Sequence, residues 1–203
     1  DHLFRWMKKQ IDWISRTGSR RLMDIHPNDL EIIAPYYPEE IKILKSAIKD
    51  GRLEAVRGIY SAAFLPILSE ESNIRQFSYG LNGYRKALDV TIETYMCPSD
   101  HFDFHPQLPQ ILNSFGYKNA LLTTAFLGII SPIKDDMIRW RGLDGSEIEA
   151  LPQHSGIQSL LTWTLPTSAA ASDRLGHKTV VFGLPSFDAT FDFFGEREST
   201  LIN

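Results

Sequence analysis

Between Pro98 and Pro106 the chain runs Pro98-Ser99-Asp100-His101-Phe102-Asp103-Phe104-His105-Pro106, which crowds two carboxylates and two imidazoles into six positions. Carboxylates serve as nucleophiles or proton carriers, and His and Asp are standard ligands of divalent metals. His101-x-x-x-His105 with Asp100 and Asp103 is therefore a donor set that could hold a metal ion. The same residue types at a strand–helix junction also cap the helix and tie the loop down, and the residues alone leave both readings open.

The flanking pattern says where this loop must lie. Val90–Met96 alternates and is rich in β-formers, which predicts a strand before the loop. Leu108, Ile111, Leu112 and Phe115 predict a helix after it, opened by Pro106 and stopped at Gly116. Asn119–Thr124 is the next strand. Upstream, the same alternation is expected at shorter spacing. Leu3, Met7, Ile11 and Ile14 mark a helix, and Arg21–Ile25 a strand. Pro38 opens a helix carrying Ile41, Leu44 and Ile48, with Gly51 as its stop. Leu53–Val56 is a further strand, and Ile74, Phe77, Leu81, Tyr84 and Leu88 form the apolar stripe of a longer helix. Strand–helix alternation points to a parallel sheet or a β/α barrel, whose active residues gather at the carboxyl ends of the strands. Two strand candidates within Met137–Leu151 break the pattern. They flank Leu143-Asp144-Gly145-Ser146, where Asp-Gly predicts a hairpin. Thr179–Gly183 is a last short strand.

Four segments carry a family resemblance. Asp100-x-Phe102 followed by Leu108-Pro109-Gln110-Ile111-Leu112 resembles the nucleophile segment of glycoside hydrolase family 38, the α-mannosidases. Gly51-Arg52-Leu53-Glu54, Ser69-Glu70-Glu71-Ser72-Asn73-Ile74-Arg75-Gln76 and Arg139-Trp140-Arg141-Gly142-Leu143-Asp144-Gly145-Ser146 are similar to three further segments of that family, in the family's order. The resemblance implies an irregular seven-stranded parallel β/α barrel, with residues 1–203 as most of a single catalytic domain. It also implies a zinc ion and retaining hydrolysis of α-mannosides. Asp100 would be the nucleophile and also touch the zinc. Phe102 would line the sugar site, and Trp140 offers a face for a sugar ring. The second carboxylate would follow an apolar strand ending in glycine, which makes Asp188 the candidate acid/base, with Asp192 behind it.

The sequence also departs from the family pattern. The glycine after Asp-x-Phe is Asp103 here, and His105 replaces a small residue. No His-x-Asp zinc motif precedes residue 20. The family's first strand and its C-terminal domains are therefore expected to be absent, and the chain taken alone is expected to hydrolyse mannosides poorly. Two other classes remain open at this point. In a metal-dependent polysaccharide deacetylase, Asp100, His101 and His105 would bind the metal and a metal-activated water would attack. A non-catalytic carbohydrate-binding barrel would have lost the metal site.

Bulk properties bound the rest. The 203 residues are 43% hydrophobic and 23% charged, with a net charge of -4, which suits one globular domain. Nucleic acid is not an expected partner, because the densest basic run is three arginines between Arg16 and Arg21. The single cysteine, Cys97, rules out an internal disulfide and is expected to be a small buried filler. No apolar run reaches the ~18 residues of a membrane span. Compartment is left open, cytoplasmic or secreted. Of the other histidines, His154 could reach a site beyond a barrel strand or be a loop residue, while His26 and His177 are expected to be structural or solvated.

Overall fold

The computed structural model describes residues 11, 12, 15, 16, 18, 20–97, 105–123 and 137–153. Residues 11, 12, 15 and 16 are helical, and Ile11 is buried, in line with the first expected helix. The elements then follow as β1 (Arg21–Met23), α1 (Pro27–Ile33), α2 (Pro38–Lys49) and β2 (Leu53–Ala55), and a 3-10 turn at Leu65–Ile67. After it come α3 (Glu70–Leu88), β3 (Thr94–Cys97), α4 (Leu108–Ser114), β4 (Asn119–Thr123), β5 (Ile138–Arg141) and β6 (Glu147–Gln153).

β1 and β2 form a parallel pair. A second sheet runs β3-β4-β6-β5, with β3, β4 and β6 parallel and β5 antiparallel to β6. The backbone N–H of Arg57, two residues beyond β2, donates to the Thr94 carbonyl at 3.0 Å and joins the two sheets at one point. The architecture is thus mixed helix and strand, with a largely parallel strand order. Two small sheets are present among the described residues, and a closed seven-stranded barrel is not among them.

Helix α3 explains most of the core. Ser69 caps it by accepting from the Ser72 N–H at 3.2 Å, Glu70 and Glu71 sit in its first turn, and Arg85 and Lys86 in its last. Left-handed Asp89 ends it. Its buried face runs through Asn73, Phe77, Gly80, Tyr84 and Leu88, whereas Ile74 is 41% exposed. The predicted stripe is therefore rotated by one position at its start. At Gly80 the helix approaches the backbone of Gly58–Tyr60 more closely than a side chain would allow. Arg75 is exposed and donates to Glu71 at 2.7 Å. Phe77 is the hub of an aromatic cluster, with ring centres 5.8 Å from Tyr95, 5.7 Å from Phe115 and 5.9 Å from Tyr117. Replacing the cap, Ser69→Ala, is expected to cost about 1 kcal/mol. Chemical denaturation should show that loss, and no comparable loss for Ser78→Ala on the exposed face of the same helix.

Helix α1 was not visible in the apolar periodicity. Pro27 at its first position and Asp29 in its first turn start it, and buried Leu30 anchors it against α3. The Asp-Gly turn does make a hairpin, with a loop of five residues, 142–146, one more than the four that the flanking strands suggested. Gly142 donates to Ser146 at 2.8 Å, and Asp144 accepts from the Ser146 N–H at 3.0 Å. Those Ser146 bonds, from its hydroxyl and its N–H, hold the Asp144 carboxyl below its usual range. Among the described residues, no helix is long and apolar enough to cross a membrane.

Candidate active site

β3 sets the direction in which the chemistry-bearing loop leaves. Tyr95 and Cys97 are buried on one face, and Thr94 and Met96 are half-buried on the other. Cys97 is thus a buried small side chain, as expected. β3 pairs with β4 in parallel register, Cys97 opposite Leu122, so the chain passes Cys97 at the carboxyl edge of the sheet. Asp100 comes three residues later. Asp100, His101, Phe102 and Asp103 lie outside the described residues, as do Asp188, Asp192, His154, His177 and the expected strand Thr179–Gly183.

His105, ahead of α4, is half-buried. Its Nδ1 accepts from the Gln107 N–H at 3.2 Å, and its carbonyl accepts from the Leu108 N–H at 2.9 Å. His105 therefore ties down the entry turn of α4, the capping task open to this residue type. The hairpin supports the same turn from outside. The Leu143 N–H donates to the Pro106 carbonyl at 3.2 Å, and Asn113 Nδ2 donates to the Glu147 carbonyl at 2.9 Å. A groove of about 240 Å³ lies beside His105, between α4 and the start of α3, walled by Asn73, Ile74, Gln107 and Gln110.

Trp140 is half-buried, packed against the core and paired with Ile148, the second residue of β6. Because β6 runs parallel to β4, this register puts Trp140 toward the amino edge, away from the edge at which Asp100 emerges. Among the described residues no group of three His, Cys, Asp or Glu side chains is arranged to hold a metal ion. The described residues alone therefore do not make a zinc site.

The carboxyl edge of the first strand pair holds a cluster that the sequence pattern did not announce. Arg57 is buried, with 1% of its side chain exposed. Its Nη1 lies 3.3 Å from Asp24 Oδ2 and 3.3 Å from His26 Nε2. His26 Nδ1 is 3.7 Å from Asp29 Oδ2, so His26 is a half-buried structural residue and not a solvated one. Tyr84 closes the cluster from α3 by donating its hydroxyl to the Ile25 carbonyl, and burial pushes its phenol well above the ordinary range. Tyr117, also shifted up by burial, donates to the Arg57 carbonyl at 2.8 Å. The signal that could have found this cluster is Asp24-x-His26 at the end of one strand with Arg57 just past the next. Tyr117→Phe is expected to cost about 1–2 kcal/mol by leaving a buried carbonyl without its donor, read as a lowered Tm.

A largely parallel strand order with helices between the strands is the arrangement of a β/α domain. The family model described as Glycosyl hydrolases family 38 N-terminal domain matches residues 2–173, and the chain belongs to that family. Alpha-mannosidase G of Dictyostelium discoideum is 27% identical over 112 residues, covering 55% of this chain and 10% of that protein. Alpha-mannosidase 2C1 of Mus musculus is 27% identical over 159 residues, covering 76% of this chain and 15% of that protein. The chain thus spans a small part of the curated relatives it matches. Among solved structures, an alpha-mannosidase from Enterococcus faecalis V583 superposes with a TM-score of 0.56 at 22% identity, covering 74% of this chain and 17% of that one. A 4-alpha-glucanotransferase from Thermococcus litoralis gives 0.63 at 16% identity, covering 80% of this chain and 26% of that one. At these identities the likeness speaks for the fold and not for the activity.

Proposed function

We propose that the complete protein is a retaining α-mannosidase whose nucleophile is Asp100. The observation that supports this reading is that β3 ends at Cys97 on the carboxyl edge of a parallel pair, three residues before Asp100 in the sequence, within the stretch that matches family 38. The carboxylate of Asp100 attacks the anomeric carbon and forms a glycosyl ester, while Asp188 gives its proton to the leaving oxygen. Asp188 then takes a proton from water, which displaces Asp100 and frees the sugar with its configuration kept. This route needs the two carboxyls about 5 Å apart. Asp192 is the second choice for the acid/base. Phe102 and Trp140 are proposed substrate contacts. Trp140 carries the weaker support because of its register near the amino edge. Zinc belongs to this reading by family, with Asp100 as the residue of this chain that would touch it, and it would supply positive charge to hold substrate hydroxyls.

The deacetylase reading draws no support from the family match, and His105 already spends one ring nitrogen on the turn of α4. The test is hydrolysis of an aryl α-mannoside by the full-length protein, followed by proton NMR. The α-anomer of mannose should appear first and mutarotate afterwards. Release of the β-anomer first, or deacetylation without glycoside cleavage, would remove the proposal.

A further inference from the structure

We infer that Asp24 is a substrate-binding residue for sugar hydroxyls, held in place by Arg57 as a positioning residue; this rests on the glycosidase reading above. β1 ends at Met23, whose carbonyl accepts from the Val56 N–H at 3.0 Å, so Asp24 stands at the carboxyl edge of the pair. Burial then alternates. Met23 and Ile25 are 2% exposed, whereas Asp24 keeps 21% of its side chain and His26 15% of its side chain open to solvent. Asp24 and His26 thus share the more open face.

Arg57 is an unusual choice for this position. A buried ion pair is often replaceable by apolar packing without loss, so burying a guanidinium is a poor way to gain stability alone. Arg57 also adopts φ 72°, a left-handed conformation that costs a residue with a side chain about 1–2 kcal/mol. Both costs are met at one residue, and both serve to put a fixed positive charge against Asp24 and His26. Such strain concentrates where a site demands it.

Location and chemistry narrow the ligand. The Arg57 N–H bond to Thr94 places β1, β2 and β3 in lateral order. At ~4.8 Å per strand, Asp24 lies about 10 Å across the sheet from Thr94, from which β3 runs on to Cys97. On the glycosidase reading, Asp24 would then meet a sugar unit removed from the one attacked by Asp100. A guanidinium 3.3 Å from both Asp24 and His26 repels a metal ion between them. The partly exposed Asp24 carboxylate beside Arg57 is an acceptor suited to neutral hydroxyl donors. With Arg57 donating to Nε2, the proton of His26 sits on Nδ1 toward Asp29, so His26 helps to hold the cluster and Asp24 meets the ligand.

The experiment uses the full-length protein with an α-linked mannobiose and measures KM, kcat and Tm. Asp24→Asn keeps the shape and removes the charge. It should raise KM about tenfold, the loss of roughly one hydrogen bond to a charged group, while kcat moves much less. Arg57→Met should raise KM similarly, and Arg57→Lys should recover part of that loss. KM values at the parental level in Asp24→Asn and Arg57→Met would overturn the inference, as would a rise in KM abolished by added zinc. Should Asp24→Asn fail to fold, Asp24→Glu must show the same selective rise in KM, and an unmoved KM there overturns the inference as well. A parent inactive on every mannoside removes the glycosidase reading itself, whereas an active parent with unmoved variants removes only the role of Asp24.

Discussion

Replacing Asp100 with alanine in the full-length protein is expected to lower turnover of an aryl α-mannoside by on the order of a thousandfold or more. With no carboxylate to form the glycosyl ester the covalent route is closed, and losses of a covalent nucleophile fall on that scale. Asp103→Asn should cost far less, because the family has glycine at this place and asks no chemistry of it. His105→Ala should act mainly on the entry turn of α4, where the imidazole accepts from Gln107, and should therefore move Tm more than kcat. A deacetylase would behave differently. There Asp100, His101 and His105 would share one metal, and each loss should remove activity on an acetylated sugar to a similar degree. Assaying the three alanine variants on a glycoside and on an acetylated sugar separates the two chemistries. Equal losses on the acetylated sugar, from a parent without glycosidase activity, contradict the assignment.

The second large effect concerns stability. Gly80→Ala is expected to destabilise the domain by about 4 kcal/mol or more, beyond the usual cost of overpacking. A Cβ on Gly80 would overlap the Gly58 carbonyl oxygen and stand 2.7 Å from the Ile59 carbonyl carbon and 2.8 Å from the Tyr60 nitrogen. All three are backbone atoms, so no flexible side chain can yield, and α3 must move off the strand edge it supports. Gly58→Ala adds a different fault at the same contact, since Gly58 holds φ 80° and a new Cβ would meet the Tyr117 hydroxyl. A domain with a total stability of about 5–15 kcal/mol stays marginally folded after such a loss. Thermal unfolding of Gly80→Ala should show a Tm far below the parent, and an unchanged Tm would mean that α3 does not approach Gly58 this closely.

Much of the fold was legible because it rests on local signals. The Pro38 helix, the strand starting at Asn119 and the Asp-Gly hairpin formed where apolar periodicity and turn residues placed them, and the helix expected between Pro106 and Gly116 formed over Leu108–Ser114. The errors came where tertiary contact outweighed pattern. On α3, counting apolar residues favoured Ile74, but the true core face begins at Asn73, whose Nδ2 donates to the Leu65 carbonyl at 3.1 Å. Helix α1 has too few apolar residues for a periodicity, and it is stabilised by Pro27 and by packing of Leu30. The candidate site divides in the same way. The strand that ends at Cys97 and the helix that starts at Leu108, which flank residues 98–104 in the sequence, were both legible. The Asp24–His26–Arg57 cluster did not follow, because its members are 31 and 33 positions apart and meet only through the parallel pairing of β1 with β2.

The central claim, that Asp100 is the nucleophile of a retaining glycosidase, is tested most directly by trapping its covalent intermediate. The full-length protein would be incubated with a slow fluorinated α-mannosyl substrate, digested with trypsin and analysed by tandem mass spectrometry. The predicted result is one added fluoroglycosyl group on the tryptic peptide 87–118, localised by fragmentation to Asp100. An adduct on another carboxylate, or turnover of the substrate with inversion and no adduct, would contradict the assignment.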